Sequence, residues 1–385
     1  MKKIMILAAA AALVLASCAK TEIVSVNEEN THAIGFASYS PRTLTKAGDT
    51  YVSGTALVTN KTFAVYAWKT AYNAFLGVNP GNPGFMSPAV VTWTNDTDDG
   101  KDNTYTPVRY WPSGDEPDNL SFVAYYPAGT GTGITAPTFG SGVGTYAFEA
   151  KGASADMVDF LVADVVNDQV YEHTNATADG YKQTVKFTFK HQLAKIQFKF
   201  KKASDVDSNT TIKLVDAKLK NIQTTGTLTA TYAQNASPAV NALGTTTTTW
   251  SAQAIASTPI TYDVFVNGSN PESGSEITLT TTASTVANSD IFLMVPQTML
   301  AKSNASAQYL EVTWQVITDG VTTTNTKKLY LDECVTTEGG STQANIDWAK
   351  NNFVTYTITI GPKPIWFTGT VTPWDAEQNG YFDVQ

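Results

Sequence analysis

The sequence predicts an all-β protein folded as antiparallel β-sandwiches, and three observations carry that expectation. Thr, Val, Tyr, Phe and Ala are abundant, with Gly, Asn and Asp clustered between short apolar runs. Those runs alternate apolar and polar residues, and turn signals recur roughly every 8–12 residues. No long segment places apolar residues about 3.6 positions apart, as an amphipathic helix or a helical crossover would require.

The chain starts with Lys2 and Lys3, an apolar run from Ile4 to Leu15, and then Leu15-Ala16-Ser17-Cys18. A charged start, an apolar stretch too short to span a bilayer and a small-residue exit together read as an export signal over residues 1–17. The cysteine directly after Leu-Ala-Ser resembles a bacterial lipobox, which makes Cys18 the expected site of lipidation and the mature N-terminus. Residues 18–31 form a polar tether. Residues 33–39 alternate like a short strand, with Ile34 and Phe36 on one face. The loop Ser40-Pro41-Arg42-Thr43-Leu44-Thr45-Lys46-Ala47-Gly48 follows.

Strands are expected next at residues 62–68, 90–93, 105–111 and 120–126, and a nearly continuous apolar run at 159–166 suits a buried central strand. Val185, Phe187 and Phe189 lie on odd positions, whereas Ile196, Phe198 and Phe200 lie on even ones. A strand cannot change parity without turning its apolar face over, so the chain must bend or bulge near His191-Gln192-Leu193-Ala194. That bend divides the chain into an N-terminal sandwich, residues 32–190, and a C-terminal one, residues 191–385. Further strands are expected at 213–219, 226–232, 261–266, 276–282, 290–295, 309–317, 327–331, 353–360 and 365–371. The five consecutive threonines, 245–249, read as an exposed loop or edge.

The 385 residues carry a formal charge of −9, which becomes more negative once Lys2 and Lys3 leave with the signal. Such a surface argues against nucleic acid and against charge-driven binding to anionic lipid. No other stretch reaches the roughly 18 apolar residues of a spanning helix, so the membrane attachment on offer is the lipid of Cys18. Cys334 then has no partner, and the core alone must stabilise the fold.

No catalytic constellation can be assembled, and no cofactor is implied. His32, His173 and His191 are far apart, and none has metal-ligand spacing. Asp96-Thr97-Asp98-Asp99-Gly100 imitates half a calcium loop, but the twelfth position is Pro107, so a solvated acidic turn is expected. Most of the eight tryptophans sit in apolar strands; Trp250 and Trp348, flanked by polar residues, are the candidates for sugar stacking. The two arginines are more informative. Arg109 lies in an expected strand, whereas Arg42 lies in a Thr- and Gly-rich loop with Lys46 nearby, the kind of segment that proteases select.

Several of these features resemble the fimbrillin family of Bacteroides-type bacteria. They are the lipobox, the Thr-Lys-Ala-Gly loop after a first strand, Phe122-Val123-Ala124-Tyr125-Tyr126-Pro127 and Asp159-Phe160-Leu161-Val162-Ala163. Phe187-Thr188-Phe189-Lys190-His191-Gln192-Leu193-Ala194-Lys195 and Val371-Thr372-Pro373-Trp374 belong with them. The resemblance implies two transthyretin-like sandwiches in tandem and a structural, non-enzymatic role in surface fimbriae that support adhesion. It also implies partners: further copies or related subunits, a trypsin-like protease cutting at Arg42 or Lys46, and a host or glycan ligand. The strand bearing Ile34 and Phe36 would then be displaced, and a neighbour's strand would fill the groove. Residues 365–384 are the candidate donor, although the tail after Trp374 is short and polar. That leaves open an uncleaved anchor or a tip subunit. A monomeric surface lipoprotein that binds glycan is the remaining alternative.

Overall fold

The computed structural model describes residues 33–39, 62–70, 83–93, 103–112, 119–129, 131–152, 156–169, 184–234, 244–255, 259–266, 276–286, 291–338, 341, 343, 346–361 and 365–374. These residues form β1 (Gly35–Tyr39), β2 (Thr62–Thr70), β3 (Met86–Thr92), β4 (Asn119–Tyr126), β5 (Thr138–Gly140), β6 (Val143–Glu149), β7 (Leu161–Ala163), β8 (Val166–Gln169), β9 (Thr184–His191) and β10 (Ala194–Lys202). Then come β11 (Thr210–Lys220), β12 (Thr225–Ala233), β13 (Thr245–Ala254), β14 (Tyr262–Val266), β15 (Ile277–Thr278), β16 (Phe292–Met294), β17 (Tyr309–Thr318), β18 (Val321–Tyr330), β19 (Asn352–Ile360) and β20 (Trp366–Pro373). The architecture is all-β, as the alternation predicts.

A central sheet runs β1-β9-β7-β4-β2-β3, with β8 also paired to β4. Every residue of β4 is buried, which explains why it is continuously apolar from Phe122 to Tyr126 and does not alternate there. One face carries Tyr66, Trp68, Val123 and Tyr125 into a core shared with Tyr146, Phe148, Leu228 and Tyr232 of a second sheet, ordered β13-β12-β6-β5. The other face carries Phe63, Val65, Phe122 and Tyr126 into a separate core with Ile34, Phe36, Trp93, Tyr105, Trp111, Phe187 and Phe189. Much of the cover on that face comes from Trp93 and from Tyr105 and Trp111 of the irregular segment 103–112.

The remaining strands form a further sandwich. Its sheets run β16-β10-β19-β20 and β14-β11-β17-β18, with β15 beside β11. Phe198, Phe200, Tyr356 and Ile358 meet Ile212, Leu214, Leu219, Val312 and Trp314 in its core. The parity change after Phe189 coincides with a change of sheet: β9 ends at His191 in the central sheet, and β10 starts at Ala194 in another. Strands from both sides of this point share one sheet, because β12 pairs with β6 from Thr225↔Glu149 to Thr231↔Val143.

Several local expectations change. Residues 105–111 form no strand; Tyr110 makes an isolated bridge to Ala33, and Thr104, just before the stretch, makes one to Thr92. Pro107, which has no amide to offer a ladder, sits in the middle of that stretch. The 159–166 run splits into β7 and β8, and the threonine run becomes β13, paired in this sheet with β12 alone. Among the described residues two strand pairs are parallel, β1 with β9 and β10 with β19, and the other strand pairs are antiparallel.

β20 is built tightly into its sandwich. It pairs with β19 from Thr359↔Trp366 to Asn352↔Pro373, and Val335 N–H donates to Phe367 O at 2.9 Å. A Cβ on Gly369 would run into Ile346 and come within 2.9 Å of Cys334 Sγ. Gly369→Ala is therefore expected to destabilise the protein by about 1–3 kcal/mol through overpacking, read as a lower urea midpoint with the slope preserved. An unchanged midpoint would show that the site has slack that the packing does not suggest.

Candidate functional site

Of the residues singled out in the sequence, Ile34 and Phe36 are the two brought together in one place. β1 runs parallel to β9, in register from Gly35↔Thr184 to Tyr39↔Thr188. The side chains of Ile34 and Phe36 are 2% and 1% exposed, pointing into the core below the sheet. Alternation makes this possible: residues two apart share a face, so one short strand delivers both side chains to the same pocket. Phe36 stacks on Phe187 at 6.0 Å and 20°, meets Tyr105 at 5.2 Å and approaches Phe122 edge-on at 6.1 Å. Burying the two side chains contributes roughly 1.5–3 kcal/mol each.

The other margin of β1 is held without a full ladder. Ile34 N–H donates to Arg109 O at 2.9 Å, and Ala33 bridges to Tyr110. Asn103 Nδ2 donates to Phe36 O at 2.7 Å, and Tyr105 Oη lies 3.0 Å from Ile34 O. The same hydroxyl accepts from Arg109 N–H at 3.2 Å and has Arg109 O as a second acceptor at 3.2 Å. Burial pushes the Tyr105 hydroxyl up to about 12, so it keeps its proton, and hence its donor role, across the physiological range. Arg109, expected on a protected strand, is instead an irregular residue whose N–H and C=O both serve this clamp. Nothing in the sequence periodicity marked Asn103 or Tyr105, because side-chain-to-backbone bonds leave no repeat.

Cys18, Arg42, Lys46, His32, His173, the acidic turn at 96–100 and the tail after Trp374 lie outside the described residues. His191 is buried at the end of β9, where Nδ1 donates to Asp159 Oδ2 at 2.7 Å and the ring stacks on Trp374 at 4.2 Å and 11°. Among the described residues no group of three or more His, Cys, Asp or Glu is placed to hold a metal ion. Cys334 is buried, and desolvation pushes its thiol up to about 12, the condition of an inert core cysteine.

The two tryptophans proposed for sugar stacking take structural positions. Trp348 is 1% exposed and donates its indole N–H to Tyr356 Oη at 3.0 Å, so its faces are closed to a sugar. Trp250 is half-buried, donates to Gln192 O at 2.8 Å, and packs edge-on against Phe148 and Phe160. Flanking polar residues misled here because they sit on the opposite face of the strand or in the turn, leaving the indole free to point inward.

Comparison with known proteins bears on the family and the fold. The fimbrillin-like family model matches residues 45–374. Fimbrium subunit Fim1C of Phocaeicola vulgatus is 31% identical over 221 residues, which is 54% of this chain and 54% of the relative, so the match spans about half the length of each. The crystal structure of a fimbrial protein from Bacteroides vulgatus superposes with a TM-score of 0.53 at 21% identity, covering 89% of this chain and 99% of that one. That likeness establishes the fold. With most of its length matched by the family model, the chain belongs to the fimbrillin-like family.

Proposed function

We propose that this chain is a structural subunit of cell-surface fimbriae, made as a lipoprotein precursor in which β1 is a removable plug. Cys18 carries the lipid and holds the precursor at the outer membrane. A trypsin-like protease cuts at Arg42 or Lys46, in the segment that joins β1 to β2. Release of β1 opens the edge of β9, and a strand from another copy or a related subunit takes its place. The two-sandwich division near residue 190 is part of this proposal, with β12 and β13 lent back to pair with β6. The observation that carries it is the position of β1: a five-residue strand at the sheet edge beside β9 among the described residues, which with Ile34 just before it closes an aromatic pocket with two side chains. Removing it exposes backbone groups and apolar surface that another extended chain can satisfy.

The incoming segment is better sought outside β20, since Phe367 and Gly369 are already committed to packing beside Tyr356 and Cys334. Limited trypsin digestion of the purified protein, followed by mass spectrometry and electrophoresis without heating, tests the proposal. The expected outcome is one dominant cut after Arg42 or Lys46 and a ladder of detergent-resistant oligomers. An intact loop under conditions that digest a denatured control, or a clean cut with monomers only, would sink it. N-terminal sequencing of the surface form separates the roles further. A start at Thr43 or Ala47 marks a polymerising subunit, and a blocked Cys18 marks an uncleaved anchor.

A further inference from the structure

We infer that Asn103 and Tyr105 are positioning residues that hold the occupant of the β9 edge by its carbonyl groups, and that the strand replacing β1 is an extended segment of another subunit, parallel to β9, with an aliphatic and an aromatic residue two positions apart. This rests on the plug role proposed above. Asn103 Nδ2 and Tyr105 Oη address the carbonyls of Phe36 and Ile34, two residues apart on the margin of β1 opposite the β9 ladder. Neither contact involves a side chain of the occupant. Any strand in the same register offers the same two acceptors, so the clamp is indifferent to sequence, and selection falls to the pocket beneath.

That pocket is specific in shape. Phe122, Phe187 and the ring of Tyr105 surround Phe36, and offset or edge-on aromatic packing adds to simple burial. A small side chain there would leave a void between three rings. Tyr105 thus works twice, with its ring against the aromatic anchor and its hydroxyl on the carbonyl of the aliphatic one.

The clamp also survives opening. With Ile34 O gone, the Tyr105 hydroxyl still has Arg109 O at 3.2 Å and still accepts from Arg109 N–H, so it is not orphaned. Asn103, only 8% exposed while β1 is present, turns its amide to water in the opened groove. The recognition groups therefore stay in place for the next strand, which keeps the ordering cost of binding low.

The test uses full-length protein nicked by trypsin between β1 and β2 and chased with excess fluorescein-labelled peptide of residues 32–40. Uptake of the peptide reports departure of β1. Asn103→Ala and Tyr105→Phe are each expected to speed exchange roughly fivefold, the effect of one lost hydrogen bond. Tyr105→Phe keeps the ring and guards against simple misfolding. A second peptide replaces the amide after Phe36 by an ester, weakening the carbonyl that Asn103 addresses. Its affinity penalty is expected to shrink in Asn103→Ala, a coupling that a merely structural asparagine would not produce. A peptide with Ala in place of Phe36 should bind at least tenfold more weakly. Exchange at wild-type rates in both variants, or an ester penalty that Asn103→Ala leaves unchanged, would overturn the clamp while leaving the plug intact. If nicked wild-type protein takes up no peptide, the plug and the clamp fall together.

Discussion

Trp374→Ala is expected to lower the unfolding free energy by about 3–5 kcal/mol, the usual cost of removing a buried tryptophan. Trp374 is 1% exposed, directly after β20, and its backbone N–H donates to Asn351 O at 2.8 Å. Its ring covers His191 at 4.2 Å, and His191 in turn bonds to Asp159 at 2.7 Å with both side chains almost fully buried. These residues come from different places. His191 closes β9 and Asp159 precedes β7, both in the central sheet, while Trp374 ends the sheet of β10, β19 and β20. Lys195 of β10 adds its ammonium 4.4 Å from the Phe353 ring and 5.8 Å from the Trp374 ring. Losing the indole therefore opens a void where the end of β9 meets the end of β20. It also lets water reach a buried hydrogen-bonded pair.

Asp159→Ala is expected to cost about as much, because one member of a buried pair is left without its partner. Asp159→Asn keeps the shape and a hydrogen bond and should cost less. Because both residues contact His191, Trp374→Ala and Asp159→Ala should combine to less than the sum of their separate effects. Urea unfolding of the single and double variants measures all of this. A Trp374→Ala loss below about 1 kcal/mol, or strict additivity, would mean that the three residues do not act as a unit.

Two changes of parity show what the sequence makes legible and where legibility stops. The switch from Phe189 to Ile196 and the switch from Leu214 to Ala217 look alike on paper, since each moves the apolar set from one face to the other. The first is a change of sheet at residues 192–193. The second is a bulge inside one strand, with the pairing of β11 to β17 shifting between Leu214 and Asp216. Alternation records that the apolar face turned over, not whether the chain left the sheet.

Partners are hidden for a similar reason. Nothing local in Thr225–Ala233 says that, with β13 on one edge, its other edge takes the distant β6, because pairing choice is a property of the whole core. Residues 105–111, expected as a strand, lie in an irregular segment that carries Tyr105 and Trp111. Those aromatics instead cap the open face of the central sheet, where no second sheet is seen among the described residues. By contrast, Ile34 and Phe36 were visible from the start, because a two-residue period over a short run needs no long-range information.

Phe36→Ala should remove about 3 kcal/mol or more of stability from the intact precursor, with a ceiling that identifies β1 as a separable element. Phe36 is the aromatic centre of the second core, and without it Tyr105, Phe122 and Phe187 face a cavity. An interior phenylalanine in β4 has no escape from such a loss. An edge strand does, because β1 can let go while the rest of the sheet stays folded. The largest penalty any change at this position can impose on global unfolding is the free energy with which β1 is docked. Phe36→Asp, which would bury a charge if the strand stayed, should therefore cost little more than the docking energy. Both variants should converge on the stability of a chain whose β1 has been released, and hydrogen exchange should show protection lost in Phe36→Asp at β1 and at the Thr184–Thr188 stretch of β9 facing it. Phe122→Asp, on the fully buried β4, has no such ceiling and should abolish folding. If Phe36→Asp unfolds the protein as completely as Phe122→Asp, β1 is integral to the sandwich and cannot act as a plug.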